Sequence, residues 1–268
     1  MNRKIAVIGV GNMAKSIISG ILSSNLSVDK FYLYDKYPAA CDTFSNFSNV
    51  CIASSIEDAV MNADCVLLSV KPQNYPEVLE AIGALPSHEK KLYISIAAGI
   101  TVKSVSNALG NAVVIRVLPN LPMTVGEGVS AICRNENAEA SDFNFVTDVF
   151  NCAGSTIIID EIEMNRIIGA TSSSPAYVFK FIDAICKGAS AQGLDGDALL
   201  NAVCDVVIGS AILLKNSSDS PSELISKVAS KGGTTEQALI KLDEGNFDKI
   251  IENAMKACTN RADELGKQ

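Results

Sequence analysis

A glycine turn near the N-terminus has the residue types that hold a pyrophosphate. The apolar run IAVIG (5–9) leads directly into GVGNMA (9–14), a G-x-G-x-x-A pattern. In such a turn the first Gly permits the tight bend and the second lets the backbone approach the phosphates. The small third residue lets the following helix pack on the strand. Because a strand-like run precedes the pattern and a helix-like run follows it, we predict a dinucleotide site here.

Two neighbouring charged residues bear on the choice of dinucleotide. The second apolar run, FYLYD (31–35), ends in Asp35, which lies 24 residues after Gly11 and is followed by Lys36. An acidic residue at this spacing bonds the adenosine ribose 2′-OH and favours NAD. Lys36 instead suits a 2′-phosphate, and Asp35 can also be read as a solvated loop residue. The pattern favours NADH and leaves NADPH open.

Two segments rich in Ser, Thr and Gly offer donors for an anion. They are GATSSSPAY (169–177) and ASKGGTTE (229–236). Small residues and hydroxyls before a helix bring several N–H groups together, which suits a carboxylate. Ordinary capping of a helix that starts near Thr234 explains the second segment equally well. From the residues alone both interpretations stay open.

The supply of proton carriers restricts the chemistry. The single His, His88, lies in PSHEKK (86–91), which we interpret as an exposed structural loop. This excludes a dehydrogenase that uses His as its proton carrier. Two kinds of hydride transfer remain. One needs little proton transfer from the protein, as in the reduction of a protonated imine, and the other uses Lys as the proton carrier. Lys71 follows a buried strand, and we expect it to position the nicotinamide rather than transfer a proton.

Short apolar runs predict the strands that carry these residues. They lack polar alternation and are separated by helix-like segments such as 13–23, 54–62 and 101–109, so they predict a mainly parallel, doubly wound α/β domain. The seven runs are 5–9, 31–35, 65–70, 92–97, 113–119, 128–133 and 155–160.

The rest of the chain reads as helix, and we place a domain boundary near residue 160. The apolar arc over 198–214 is too broad for one partner surface, so that helix is either central to its domain or packed against another subunit. The predicted helical segments are 162–192, 196–216, 220–230, 234–243 and 246–265.

Composition limits the partners. The net charge is −8 at pH 7, aromatic residues are 6% and Trp is absent, which argues against nucleic acid and anionic membranes as partners. No uninterrupted apolar run is long enough to span a membrane. Eight Cys without a C-x-x-C pair indicate free thiols and no metal site. We expect a soluble cytoplasmic protein.

The whole chain resembles the pyrroline-5-carboxylate reductase family. The most specific stretch is PSELISKVASKGGTTEQALIKLD (221–243). It is similar to that family's signature over its full span. Supporting stretches occur in the family's order: IGVGNMA (8–14), SVKPQ (69–73), SIAAGIT (95–101), RVLPNLP (116–122) and SSSPAYVF (172–179).

This resemblance implies NAD(P)H-dependent reduction of 1-pyrroline-5-carboxylate to L-proline, the last step of proline synthesis. It implies a Rossmann-type domain (1–160) and an all-α substrate-binding and dimerisation domain (161–268), in a homodimer that sometimes assembles into a decamer. Thr235 and Lys71 are the expected catalytic residues. Ser230, Gly233, Thr234 and Thr235 are the expected substrate-binding residues. The expected dinucleotide-binding residues are Ile8, Gly9, Val10, Gly11, Asn12, Met13, Asp35, Lys36, Ser55, Ser69, Val70, Lys71, Pro72, Ile96, Ala97 and Ala98.

The chain departs from the family's pattern at several positions, among them Ser172, Lys231 and Ser218, none of which is an expected substrate contact. Two other functions are weighed. A β-hydroxyacid dehydrogenase shares a similar start and an all-helical second half, but it needs a Lys after a Gly-rich segment. Lys180 is the candidate there, and Pro175 interrupts the expected run. A cofactor-binding sensor without turnover would be favoured by loss of hydroxyls at 230 and 235, and both are present.

Overall fold

The computed structural model describes residues 3–266 and contains one eight-stranded sheet. The strand order is β3-β2-β1-β4-β5-β6-β7-β8, and every neighbouring pair is parallel except β6 and β7. The predicted doubly wound α/β domain is confirmed. The strands are β1 Arg3–Ile8, β2 Val28–Tyr34, β3 Val50–Ile52, β4 Cys65–Leu68, β5 Leu92–Ser95, β6 Val113–Leu118, β7 Gly128–Arg134 and β8 Gly154–Ile158.

All seven predicted runs form strands, and the sequence analysis missed β3. That strand has three residues at one end of the sheet, too few to give a periodic signal. The antiparallel β6–β7 pair follows from chain length. Residues 119–127 hold one short 3₁₀ helix, Leu121–Val125, whereas a parallel crossover needs about a dozen residues or more.

Helices cover both faces of the sheet. One apolar core lies on the face with the helices Asn12–Leu22 and Ala140–Asn151. A second lies on the opposite face, with the remaining four helices of this part of the chain. The sequence analysis gave no bounds for α3, although it expected a helix before the loop 86–91, and it missed α5. The helices are α1 Asn12–Leu22, α2 Ile56–Met61, α3 Tyr75–Gly83, α4 Val102–Ala108, α5 Ala140–Asn151 and α6 Glu161–Ile167.

The C-terminal part is helical, as predicted, but its first predicted helix (162–192) was wrong as a single element. The chain forms α6 and then a separate helix, with a turn around residues 168–173. Pro175 explains the break, because Pro fits the first turn of a helix and disrupts its interior. The helices are α7 Ser174–Ser190, α8 Asp197–Asn216, α9 Pro221–Val228, α10 Thr234–Glu244 and α11 Phe247–Leu265.

The chain divides into two compact units. One comprises Met1–Pro175 together with Met255–Gln268, and the other comprises Ala176–Ala254. The last part of α11 therefore belongs with the sheet. The boundary near residue 160 stays a prediction.

Helix α8 carries an unusual apolar surface. It is long and apolar enough to cross a membrane by length and composition, and 6% of its most apolar window is buried. Val206, Ile212 and Leu213 are more than half exposed. A surface of this kind marks an interaction site.

Candidate active site

The glycine turn starts where β1 ends. Gly9 has φ +91°, a conformation that favours Gly, and its N–H donates to Tyr34 O at 2.8 Å. A Cβ on Gly9 would lie 2.9 Å from both Ser69 O and Val70 Cγ1. Gly9 is therefore required by the protein's own packing between the ends of β1, β2 and β4.

Gly11 has a different surrounding. A Cβ built on Gly11 meets nothing within 4 Å, and Gly11 is the N-cap of α1 in an extended conformation. Ala14, one turn further on, is fully buried. The first N–H groups of a helix have no partner within the helix. The turn thus presents open space and N–H donors, which fits the diphosphate of a dinucleotide.

The carboxylate of Asp35 holds this turn. Its Oδ2 accepts the N–H of Val10 at 2.7 Å and its Oδ1 accepts the N–H of Tyr37 at 2.8 Å. Both oxygens are therefore fixed by backbone groups, while the Lys36 side chain is exposed. Sequence analysis placed Asp35 at the ribose and did not foresee its bond to the turn.

The other expected dinucleotide residues lie at the same edge of the sheet. Ser69 N–H donates to Ile8 O at 2.9 Å, and Ile96 N–H donates to Leu68 O at 3.3 Å. The segments after β4 and β5 therefore lie beside the glycine turn. Lys71 is exposed at the start of a 3₁₀ helix, Pro72–Asn74. Ser55 caps α2 by accepting Asp58 N–H at 3.0 Å.

A buried tyrosine supports this edge and was missed by sequence analysis. The Tyr75 hydroxyl donates to Leu68 O at 2.9 Å and lies 3.0 Å from Ser95 Oγ, so it ties the ends of β4 and β5 together. Burial raises the pKa of Tyr75 to about 12. The short Pro-rich loop before α3 gave no signal for this role.

Arg116 is a second buried polar residue that sequence analysis did not single out. It lies on β6 with 1% of its surface exposed, and burial lowers the pKa of its guanidinium. Nη2 donates to Asn165 Oδ1 at 2.7 Å, and Nη1 lies 3.6 Å from Glu161 Oε1. A charged residue inside the apolar run VVIRVLP was an available signal.

The expected substrate segment forms a turn between α9 and α10. Gly232 has φ +76°, and Gly233 N–H donates to Ser230 O at 2.9 Å. A Cβ on Gly233 would lie 2.9 Å from the backbone oxygen of Ser230, so Gly is needed there as well. Thr234 and Thr235 open α10, where N–H groups are free.

Glu236 modifies this turn. Its Oε2 accepts Gly232 N–H at 2.7 Å, so one N–H donor of the turn is already paired. This resembles the capping that sequence analysis left open as an alternative. Ser230 is exposed and Thr235 is half-buried. The remaining N–H groups and hydroxyls still suit a carboxylate.

The two groups of expected residues fall in different compact units. The dinucleotide residues and Lys71 belong to the unit with the sheet, and Ser230, Gly233, Thr234 and Thr235 belong to the helical unit. Within each unit the residues lie together.

Two smaller expectations have clear outcomes. The expectation that His88 is exposed was wrong: 17% of its side chain is exposed, and Nδ1 lies 2.6 Å from Leu85 O.

The eight Cys are free thiols, with Cys41, Cys65 and Cys133 buried and five half-buried. Within residues 3–266, no group of three or more His, Cys, Asp or Glu is placed to hold a metal ion.

The fold and the glycine turn define a dinucleotide-dependent oxidoreductase with a helical second part. Residues 4–99 match a family described as NADP oxidoreductase, coenzyme F420-dependent. Residues 161–265 match the family described as pyrroline-5-carboxylate reductase dimerisation.

Relatives over the full chain specify the family. A pyrroline-5-carboxylate reductase from Haemophilus influenzae is 34% identical, covering 98% of each chain. The structure of one from Coxiella burnetii is 30% identical with a TM-score of 0.89, covering 100% of each chain. The NADP-bound pyrroline carboxylate reductase of Plasmodium falciparum is 26% identical with a TM-score of 0.89, covering 99% of this chain and 98% of that one. This chain belongs to the pyrroline-5-carboxylate reductase family.

Proposed function

We propose that this protein reduces 1-pyrroline-5-carboxylate to L-proline with NADH or NADPH, the last step of proline synthesis. The observation that carries the proposal is the full-length similarity to reductases of that name. Two further features support it: the open glycine turn at Gly11, and the donor-rich turn Ser230–Thr235. NAD(P)H supplies the hydride when bound.

The reaction asks little acid–base work of the protein. The hydride forms a new C–H bond at the imine carbon, and the electron pair of the C=N bond moves to the ring nitrogen. A protonated imine thereby becomes a neutral secondary amine, which takes a proton from water. The protein's task is to orient the two reactants and exclude water. The absence of a His at this site is consistent with that task.

The turn before α10 is the proposed carboxylate site. Ser230, Gly233 and Thr234 supply a hydroxyl and backbone N–H donors, and Thr235 presents its hydroxyl to the ring nitrogen. The geometry that supports this is the close packing of Gly233 on Ser230, together with the hydrogen bond from Gly233 N–H to Ser230 O at 2.9 Å. Lys71 is proposed as a positioning residue at the dinucleotide edge, because it lies exposed directly after β4.

For the dinucleotide we propose a preference for NADH. The two backbone N–H groups that Asp35 accepts keep its carboxylate at the end of β2. A fixed negative charge there repels a 2′-phosphate and accepts a ribose 2′-OH. The positive charge of Lys36 opposes this preference, and its side chain is exposed.

We propose a cytoplasmic homodimer formed through the helical part, with the decamer as a further assembly. The match of 161–265 to a dimerisation family supports the dimer. The exposed apolar residues of α8, among them Val206 and Ile212, supply a surface for it. The net charge of −8 speaks against nucleic acid and anionic membranes as partners.

The test is oxidation of NADH and NADPH by purified protein, with and without pyrroline-5-carboxylate, followed by absorbance at 340 nm. The expected result is oxidation that depends on the substrate. The ratio of kcat/KM for the two dinucleotides tests the NADH preference. A folded protein that binds dinucleotide without turnover would contradict the proposal and favour the sensor. Turnover of a β-hydroxyacid instead would favour the dehydrogenase.

A further inference from the structure

The segment Ile96–Thr101, which follows β5, is held at both of its ends by other parts of the sheet unit. At its N-terminal end, Ile96 N–H donates to Leu68 O at 3.3 Å. At its C-terminal end, Glu161 Oε1 accepts Val102 N–H at 2.5 Å, at the start of α4. The same oxygen lies 3.6 Å from Arg116 Nη1. The start of α4 is thus tied to the buried guanidinium through one carboxylate.

That guanidinium is also tied to α11. Arg116 Nη2 donates to Asn165 Oδ1 at 2.7 Å, and Asn165 Nδ2 donates to Asp263 Oδ1 at 2.8 Å. Asp263 lies in the last turns of α11. Three hydrogen bonds and one ion pair, that between Arg116 and Glu161, therefore connect the end of α11 to the start of α4.

Gly99 makes a second contact with α11, in the middle of the same segment. It has φ +80°, and a Cβ on it would lie 2.7 Å from Ala262 O and 3.0 Å from Leu265 Cβ. A Cβ on Gly266 would in turn lie 2.5 Å from Gly99 O. The two backbones therefore touch directly, and neither position has room for a side chain.

We propose that the end of α11 positions the dinucleotide-lining segment Ile96–Ala98. In this proposal Gly99 and Asp263 are positioning residues that act through the segment and through Arg116. The inference rests on the proposed function, because the family resemblance behind that function implies a dinucleotide against Ile96–Ala98. The consequence is that α11 contributes to the affinity for the dinucleotide.

The test compares matched variants of the full-length protein. Dissociation constants for NADH and NADPH are measured by calorimetry, KM and kcat by absorbance at 340 nm, and the melting temperature for each variant. Asp263→Ala should raise the dissociation constants about 3- to 10-fold, a size usual for coupled networks. Asp263→Asn should stay within about twofold of wild type, because its amide oxygen also accepts a hydrogen bond. KM for pyrroline-5-carboxylate should change little in both.

Two more variants sharpen the result. Gly99→Ala should weaken dinucleotide binding by more than about tenfold, because its Cβ meets Ala262 O and displaces the segment. Glu264→Ala is the control, since Glu264 is exposed like Asp263 but pairs with Arg261 of the same helix. It should behave as wild type.

The outcomes separate the two proposals. Unchanged dinucleotide affinity in folded Asp263→Ala protein would overturn the positioning role, whatever the state of Gly99→Ala. Loss of affinity in the Asp263→Asn and Glu264→Ala variants as well would also overturn it, because a general loss of stability explains that pattern. Wild-type protein that binds dinucleotide without reducing the imine would refute the proposed reaction alone, and the dissociation constants would still decide the positioning role.

Discussion

The carboxylate of Asp35 accepts the backbone N–H of Val10 at 2.7 Å, so the end of β2 and the glycine turn after β1 are joined by one charge-assisted hydrogen bond. The residue that sequence spacing assigns to the ribose therefore also shapes the phosphate turn. A substitution at Asp35 can change both the preference between NADH and NADPH and the conformation of the glycine turn. Asn and Ala at this position separate the two effects.

Asp35→Asn should change cofactor preference while keeping the turn. The amide oxygen can still accept Val10 N–H, while the amide nitrogen cannot accept Tyr37 N–H and the negative charge that repels a 2′-phosphate is gone. We expect the ratio of kcat/KM for NADPH over NADH to rise by about tenfold, which corresponds to about 1.4 kcal/mol. Asp35→Ala should instead weaken both dinucleotides, because the turn loses its support. An unchanged ratio in Asp35→Asn would show that Asp35 does not read the ribose.

Substitutions at Gly9 and Gly11 should affect different properties, the stability of the fold at Gly9 and dinucleotide binding at Gly11. Gly11→Val places its side chain in open space, so we expect a melting temperature near wild type and loss of dinucleotide binding. Gly9→Ala places a Cβ 2.9 Å from Ser69 O at φ +91°, so we expect a loss of stability of about 1–3 kcal/mol. Thermal unfolding and calorimetric titration check both. Retained NADH affinity in Gly11→Val would contradict the phosphate site.

Thr235→Ala should impair catalysis with pyrroline-5-carboxylate and leave dinucleotide affinity nearly unchanged. A hydrogen bond to a charged partner contributes about 1.5–3 kcal/mol, so kcat/KM should fall about 10- to 100-fold. Thr235→Ser keeps the hydroxyl and is the matched control. Steady-state kinetics at 340 nm measure both, and wild-type kinetics in Thr235→Ala would remove its assigned role.

Tyr75 should contribute to stability in a pH-dependent way. Burial raises its pKa from 10.0 to about 12. The unfolded chain releases this proton first, so the contribution is complete below pH 10 and is lost as the pH rises towards about 12. Tyr75→Phe should cost about 1 kcal/mol at pH 8, because Leu68 O loses one of its two donors and keeps only the N–H of Ile96.

Urea unfolding across the alkaline range tests this dependence. The stability of Tyr75→Phe should fall less steeply than that of wild type above pH 10, the ordinary pKa of the phenol. Tyr37→Phe is the control, since the Tyr37 side chain is 73% exposed. Parallel curves for wild type and Tyr75→Phe would argue against the raised pKa.

Charged residues on α8 should break the proposed dimer. Val206 is 65% exposed and Ile212 is 56% exposed. Val206→Glu with Ile212→Glu should convert a dimer to a monomer in sedimentation equilibrium, because burying an unpaired carboxylate is costly. Val125→Glu replaces an apolar residue of the sheet unit that is 75% exposed, more than either of these, and should leave the dimer intact. A dimer that persists in the double variant would exclude this face of α8.

The amino-acid sequence by itself determined the fold class, the glycine turn and the family. These depend on local patterns: apolar runs of strand length, helical spacing, and a signature of contiguous residues. Its errors were also local. β3 is three residues long, and the break before α7 depends on Pro175 placed inside an otherwise helical run.

Only the tertiary structure decided which residues also hold neighbouring elements together. Asp35 on Val10, Tyr75 on Leu68, and Gly99 against Ala262 are contacts between elements, and several join positions far apart in the chain. The partners of Arg116 lie on α6, and one of them, Asn165, donates a hydrogen bond to Asp263 on α11. No spacing rule encodes such contacts, because they arise when strand ends meet at one edge of a sheet and a final helix returns to it.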